Sequence, residues 1–341
     1  MQVLNRSVKI ASNMRGVEIK YEYGDNMVMM RRKFVDGLQS PLVIECDQGY
    51  LPLDESRFNL FVRNPNIIRF RIANTGNVDQ YEIKIRDRVL VLPNTANITP
   101  ASWYTEIQSK GVADGLNILR EQKSPGEIKA LDIGTGSMVL PITLAQDGIR
   151  HVVAVDIASG FTEYYQALAA LYGQYPWWLT ITAIEGDYTS IEDFPDEYFD
   201  LVFSNINTEP WPLIDGEDHL VYSEIPSEQR FHDGGYYGTE LLEKSFALSS
   251  RKLQHGGILV VQHPVYAFDR KRGRDASEAT AAILEEANCD VVLYREVDQP
   301  ILDGSAVLSR LRLYSDRLNW KPKILEGFEY TQVCLFVAKK R

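Results

Sequence analysis

The chain has 341 residues, 45% of them hydrophobic and 24% charged, with a formal net charge of −11. That is enough apolar material for a sizeable core in a catalytic domain plus an accessory one, and it excludes a largely disordered chain. No run of 18 or more apolar residues occurs, and Met1 to Lys9 lacks the apolar centre of a signal peptide, so a cytoplasmic protein without membrane contact is expected.

From the N-terminus, Val17 to Tyr23, Ile68 to Ile72 and Tyr81 to Ile85 alternate apolar and polar residues, the mark of strands with one wet face. Residues 1–99 are predicted to form a β-rich accessory domain. The arginine and aromatic mixture at Arg57 to Arg63 and Arg69 to Arg71 reads as the surface of half-buried strands. Pro93 to Pro100 is rich in turn formers and marks a boundary. Ala101 to Arg120 then has helical spacing, with Trp103, Ile107, Leu116 and Leu119 as apolar contacts.

Residues 100–341 read as an α/β domain. An apolar strand at Ala130 to Asp132 runs into Gly134-Thr135-Gly136, where two glycines let the backbone approach a ligand closely. Val139 stands where a dinucleotide-binding loop has its third glycine, which disfavours that reading. Further strands are predicted at His151 to Asp156, at Leu179 to Ile184 before Glu185-Gly186-Asp187, and at Tyr198 to Phe203 before Ser204-Asn205. Trp177 and Trp178 are placed at the start of the strand at Leu179 to Ile184, the third of the domain. Gly256 to Gln262, Asp290 to Tyr294 and Phe328 to Val337 complete the set. Helical stretches separate the strands, which predicts a parallel sheet with ligands at the strands' carboxyl ends. The long connection Glu296 to Gly327, with a helical Ser305 to Arg312, is expected to be a lid or acceptor-binding element.

Charge is unevenly spread. Residues 1–110 carry 15 basic and 12 acidic side chains, and residues 111–341 carry 21 and 35. An acidic catalytic domain argues against a nucleic-acid partner, because such affinity comes largely from cations on phosphates. The basic run Arg270 to Arg274 reads as a solvated loop. Cys46, Cys289 and Cys334 show neither paired nor metal-ligand spacing, so no disulfide framework and no metal are expected.

Across roughly residues 100–341 these motifs resemble the class I S-adenosylmethionine (SAM)-dependent methyltransferases. The resemblance implies a Rossmann-like seven-stranded sheet closed by an antiparallel pair, with SAM as cofactor. It places Asp132 at the cofactor's amino-acid end, Asp156 at the ribose and Asp187 at the adenine amino group. Gly134, Gly136, Ile157, Tyr188 and Asn205 complete the expected cofactor contacts. The family often has a glycine where this chain has Met138.

A narrower likeness, to the release-factor glutamine methyltransferases and their ribosomal relatives, rests on Asp132 to Ser137, Asp200 to Asn205 and Phe231 to Leu242. It implies a nitrogen acceptor on a protein or peptide, oriented by Asn205. Their Asn-Pro-Pro-Tyr is only partly kept, since Ile206-Asn207-Thr208 follows Asn205 here. Loss of that motif favours an alternative, an O-methyltransferase acting on a small molecule or peptide. A non-catalytic SAM-binding scaffold is the third reading, and the intact acids argue against it. Asn205 and His263 are the candidate catalytic residues, the second as a base because histidine titrates near neutrality. His232-Asp233 is expected to border the acceptor pocket. Acceptor recognition or homodimer formation is expected of the N-terminal domain.

Overall fold

The computed structural model describes the backbone of residues 8–10, 17–23, 26–31, 34–35, 38–39, 42–46, 49–53, 67–72, 78–95, 98, 103–205, 240–264, 268–269, 274–300, 323–325 and 328–341. Side chains are described within 80–98, 105–205, 241–263, 277–298 and 332–341. The chain divides into two compact units, Met1–Thr95 and Ala96–Arg341. Among the described residues no helix is long and apolar enough to cross a membrane.

The first unit is built of antiparallel strands. Val8–Ile10 (β1), Val17–Tyr23 (β2), Asn26–Arg31 (β3), Leu42–Cys46 and Gly49–Leu53 form a five-stranded sheet, with Phe34–Val35 (β4) and Leu38–Gln39 (β5) as a small hairpin. Taking Leu42–Cys46 as β6 and Gly49–Leu53 as β7, the sheet order is β1-β2-β3-β6-β7. Ile67–Ile72 (β8), Val78–Ile85 (β9) and Arg88–Pro93 (β10) form a second sheet. Alternation explains β9: Tyr81, Ile83 and Ile85 are buried while Lys84 between them is exposed. Arg86 takes the left-handed conformation (φ 55°) that a tight two-residue hairpin turn needs, joining Ile85 to its partner Arg88.

The second unit is a mixed sheet with helices on its faces. Its strands are Lys129–Ile133 (β11), His151–Asp156 (β12), Ile181–Glu185 (β13), Phe199–Ser204 (β14), Leu253–Pro264 (β15), Phe268–Asp269 (β16), Arg274–Asp275 (β17), Cys289–Pro300 (β18), Lys323–Leu325 (β19) and Phe328–Lys340 (β20). The order β13-β12-β11-β14-β15-β20-β18 is parallel through β15, and β20 runs antiparallel between β15 and β18. This is the Rossmann-like seven-stranded methyltransferase sheet expected from the motifs. The central strands are covered on both faces, which is why Leu201 to Phe203 and Ile258 to Val261 are continuous apolar runs with no exposed member.

The helices are Trp103–Arg120 (α1), Val139–Gln146 (α2), Phe161–Tyr172 (α3), Glu240–Lys252 (α4) and Ala276–Glu286 (α5). Strand alternation assigns the faces. Leu131, Ile133, Val202, Leu259, Val261 and Phe336 pack with Leu242 and Phe246 of α4 and Ile283 and Leu284 of α5. Ala130, Asp132, Leu201, Phe203, Ile258, Val260 and Gln262 therefore share the opposite face, under α1. A Cβ on Gly115 would stand 2.9 Å from Ile258 Cγ2, and one on Gly111 would stand 2.7 Å from Leu335 Cδ1 and 2.8 Å from Val260 Cγ1. Two glycines one turn apart thus seat the helix backbone directly on β15 and β20. Gly111→Ala should lower stability by about 1–2 kcal/mol, because overpacking of roughly 1–3 kcal/mol exceeds the ~1 kcal/mol gain in helix propensity. Thermal unfolding checks this, and a more stable variant would show that the seat is loose.

Several boundaries differ from expectation. The third strand begins at Ile181, because Pro176–Thr180 forms a 3-10 turn in which Trp178 is buried and stacks on Tyr165 at 4.9 Å. Trp177 and Trp178 thus precede the strand. The fifth strand starts early, at Leu253, and an irregularity around Gly256 (φ 75°) re-registers it before Ile258 meets Leu201. β18 runs on to Pro300, six residues past Tyr294. In α1, Ile107, Leu116 and Leu119 are buried as expected. The side chain of Trp103, Arg57 to Arg63, the segments 206–239 and 301–322 with His232, Asp233 and Ser305 to Arg312, and Arg270 to Gly273 of the basic run lie outside the described residues. Cys289 and Cys334 are free and buried.

Candidate active site

All five parallel strands present their carboxyl ends at one edge of the sheet, where ligands of such folds bind. The loop after β11 crosses the end of β12: Gly134 N and Thr135 N both donate to Val155 O, at 2.9 and 3.1 Å. Gly134 (φ 74°), Gly136 (φ 51°) and Met138 (φ 57°) are all left-handed. Met138 holds the conformation for which the family often uses glycine, at a cost of roughly 1–2 kcal/mol. Its side chain is fully buried, which returns about as much. Tyr164 of α3 braces the loop by donating to Ser137 O at 3.2 Å.

Two carboxyls lie beneath this loop. Asp156 accepts from Gly136 N at 2.6 Å through one oxygen and from Ala158 N at 2.9 Å through the other. Burial pushes its carboxyl above the usual range, against the pull of those N–H groups. Asp132 is 2% exposed, and burial first, with the neighbouring Asp156 charge, pushes it up to about 8. Thr135 lies close enough to hold Asp132 down somewhat.

Ile157, beside Asp156, is 56% exposed, a large apolar side chain left open next to the polar loop. Asp187 caps the 3-10 turn Tyr188–Ile191 by accepting from Thr189 N at 2.8 Å, and Tyr188 packs against the core. Glu185 accepts from Thr162 N at 2.9 Å at the start of α3, which holds its carboxyl below the usual range. The capping role possible for any acid at a strand-to-helix turn is therefore what Asp187 and Glu185 show. A carboxylate offers about four lone-pair sites, so Asp156 and Asp187 keep capacity for ligand hydroxyl or amino donors.

Asn205, half-buried, follows β14. Ser204 is level with Ile133 on one side and Val261 on the other, so Asn205 is level with Gly134 and Gln262 and shares the face of Asp132. His263 is not brought to this row. It points to the opposite face, is 1% exposed, shares a hydrogen bond through Nε2 with Thr280 of α5, and stacks on Phe336. Asp200, part of the narrower motif, is structural: it pairs with Lys123 at 2.5 Å and accepts from Lys129 N at 2.8 Å, tying the starts of β11 and β14 together. Thr135 and Gln262 were missed in the sequence. A polar residue ending the apolar run Ile258 to Val261 was the available signal for the second.

The residues present fit SAM. The left-handed loop admits a close ligand, and a buried acid of pKa about 8 is stabilised in its charged form by a cation such as an ammonium. Residues 131–215 match the family described as methyltransferase domain. No curated protein matches the chain. Among solved structures it is similar to the [4+2]-cyclase SpnF, at 16% identity over 70% of this chain and 84% of that one, with a TM-score of 0.42. It is also similar to a geranyl diphosphate methyltransferase in complex with SAM, at 12% identity over 70% and 88% with a TM-score of 0.43. A ribosomal protein L11 methylase from Lactobacillus delbrueckii subsp. bulgaricus is similar at 16% identity over 69% and 80%, with a TM-score of 0.38. The matched segment holds the glycine loop with Asp132, Asp156, Asp187 and Asn205, so the site lies inside the methyltransferase-domain match.

Proposed function

We propose that the protein is a SAM-dependent methyltransferase acting on a nitrogen of a protein or peptide, with Asn205 orienting the acceptor. The observation that carries this reading is the shared face of Asp132 and Asn205, one strand apart at the sheet's carboxyl edge. Asp132 and Thr135 would hold the amino-acid end of SAM, Asp156 the ribose, Ile157 the apolar face of the adenine, and Asp187 with Tyr188 its edge. SAM supplies the methyl group from its sulfonium. The protein's own task is placement: orientation of this kind can supply roughly 7–11 kcal/mol of a barrier. Asn205 can both donate to and accept from a planar amide or amine. His263, turned away, is not the acceptor's base in this reading. Residues 1–99 serve acceptor recognition or dimer formation in this reading.

Replacement of the Pro-Pro-Tyr motif by Ile206-Asn207-Thr208 favours the second reading, an O-methyltransferase for a small molecule or peptide. Calorimetric titration of the full chain with SAM and with S-adenosylhomocysteine tests the common ground. Micromolar binding of both is expected, and a folded sample binding neither would leave the fold without its chemistry. Asn205→Ala should lower turnover about 100-fold, the order that a misplaced reactant costs, while changing SAM affinity little. Undiminished turnover on any acceptor found would reduce Asn205 to a strand-end cap.

A further inference from the structure

Gln262 is fully buried, and neither its Nε2 nor its Oε1 has a hydrogen-bond partner. Leaving both ends of a buried amide unpaired is costly in a folded protein, and native structures rarely do so without a use for the group. A second unpaired amide lies under the same helix: Gln108 Nε2, on a residue 3% exposed.

The register brings the two together. Gly115 sits on Ile258 and Gly111 on Val260, so α1 runs antiparallel to β15. One turn further towards the start of α1 is Gln108, and two residues further along β15 is Gln262. On its other side Gln262 is level with Asn205, since Val261 is level with Ser204. Gln262 and Asn205 thus lie one residue pair beyond Asp132 on the same face of the sheet, on the side that α1 covers at β15. Asn205, half-buried, is the more open of the three.

We propose that Gln262, with Gln108, is the specificity-determining seat for a carboxamide or peptide group of the methyl acceptor. This rests on the methyltransferase reading of the same site. A carboxamide offers one N–H and one carbonyl side by side, matching the unpaired Oε1 and Nε2 of Gln262, and Gln108 Nε2, on the α1 face over the same strand, is the donor available for the carbonyl oxygen. An ester or ether of the same size lacks the donor and leaves Gln262 Oε1 unpaired, a basis for strong discrimination.

The test uses the full chain saturated with S-adenosylhomocysteine. The Gln262 side-chain amide resonance, assigned by its absence in Gln262→Leu, is followed by NMR during titration with N-acetylglycinamide and, separately, with N,N-dimethylacetamide, which has no N–H. A shift with the first and little with the second is expected. Gln262→Leu should also raise the melting temperature of the ligand-free protein by about 2–6 °C, because an apolar group replaces an unpaired amide. Its affinity for S-adenosylhomocysteine should stay within about twofold of the parent, since Gln262 is outside the cofactor loop. A resonance indifferent to both probes overturns the proposal. So does a melting temperature several degrees lower, which would show the amide satisfied inside the folded protein. Failure of S-adenosylhomocysteine to bind at all would instead defeat the methyltransferase reading, so the two failures are distinct.

Discussion

Asp132→Asn is expected to make the ligand-free protein more stable above pH 8 and to weaken SAM binding at least tenfold. Unfolded, the carboxyl releases its proton near its ordinary value of 3.8, whereas in the folded protein it holds the proton to about 8. Between those values the folded state binds the extra proton, so this group's contribution to stability falls as pH rises and stays low above 8. Asn has no proton to lose. Its advantage should be negligible near pH 3, grow through the window, and reach a few kcal/mol at pH 9, at about 1.4 kcal/mol per pKa unit as an upper bound. Calorimetric melting at pH 5 and pH 9, with SAM titration of both proteins, checks the two halves. A variant no more stable at pH 9 would show that the acid is less buried than described. A variant binding SAM normally would remove Asp132 from the cofactor's amino-acid end.

Asp156→Ala is expected to cost more in the free protein and as much in binding. Its carboxyl holds Gly136 N and Ala158 N, and hydrogen bonds to a charged group contribute roughly 1.5–3 kcal/mol each. Burial of the charge offsets part of this, so a net loss of about 2–3 kcal/mol is expected. SAM affinity should fall about 100-fold, because the ribose partner and the shape of the loop go together. Asp156→Asn keeps an acceptor and should lie between the two. Full affinity in a folded Asp156→Ala protein would sink the ribose assignment.

What could be read in the sequence followed from period and punctuation. Apolar runs ending in acid at Asp132 and Asp156, each followed by glycines or a helix, gave the sheet and its carboxyl edge. Less legible was anything set by a neighbour distant in sequence. Pro176-Trp177-Trp178 carries strand-like residues, yet Trp178 finds Tyr165 and makes a turn. In β15 both faces are buried, so the apolar run carries no sign of which face a polar residue takes. The packing of Leu259 and Val261 against α4 and α5, and the contact of Gly111 with Val260, reveal that Gln262 shares the face of Asp132 and His263 does not. The left-handed Met138 was equally hidden, because a non-glycine residue gives no hint of positive φ.

The paired glycines of α1 also fix how this enzyme can discriminate. Sliding the helix by one residue would drive a side chain into Val260 and Leu335, so α1 has one permitted axial position, like a key with two notches. In the proposed seat Gln108 would then be a stationary gauge, carried on a helix whose position is set by backbone contact and cannot adapt to a thicker or thinner guest. Acceptors would be sorted by whether they fit a gap of constant width, and enlarging that repertoire would require changing the glycines before the glutamines.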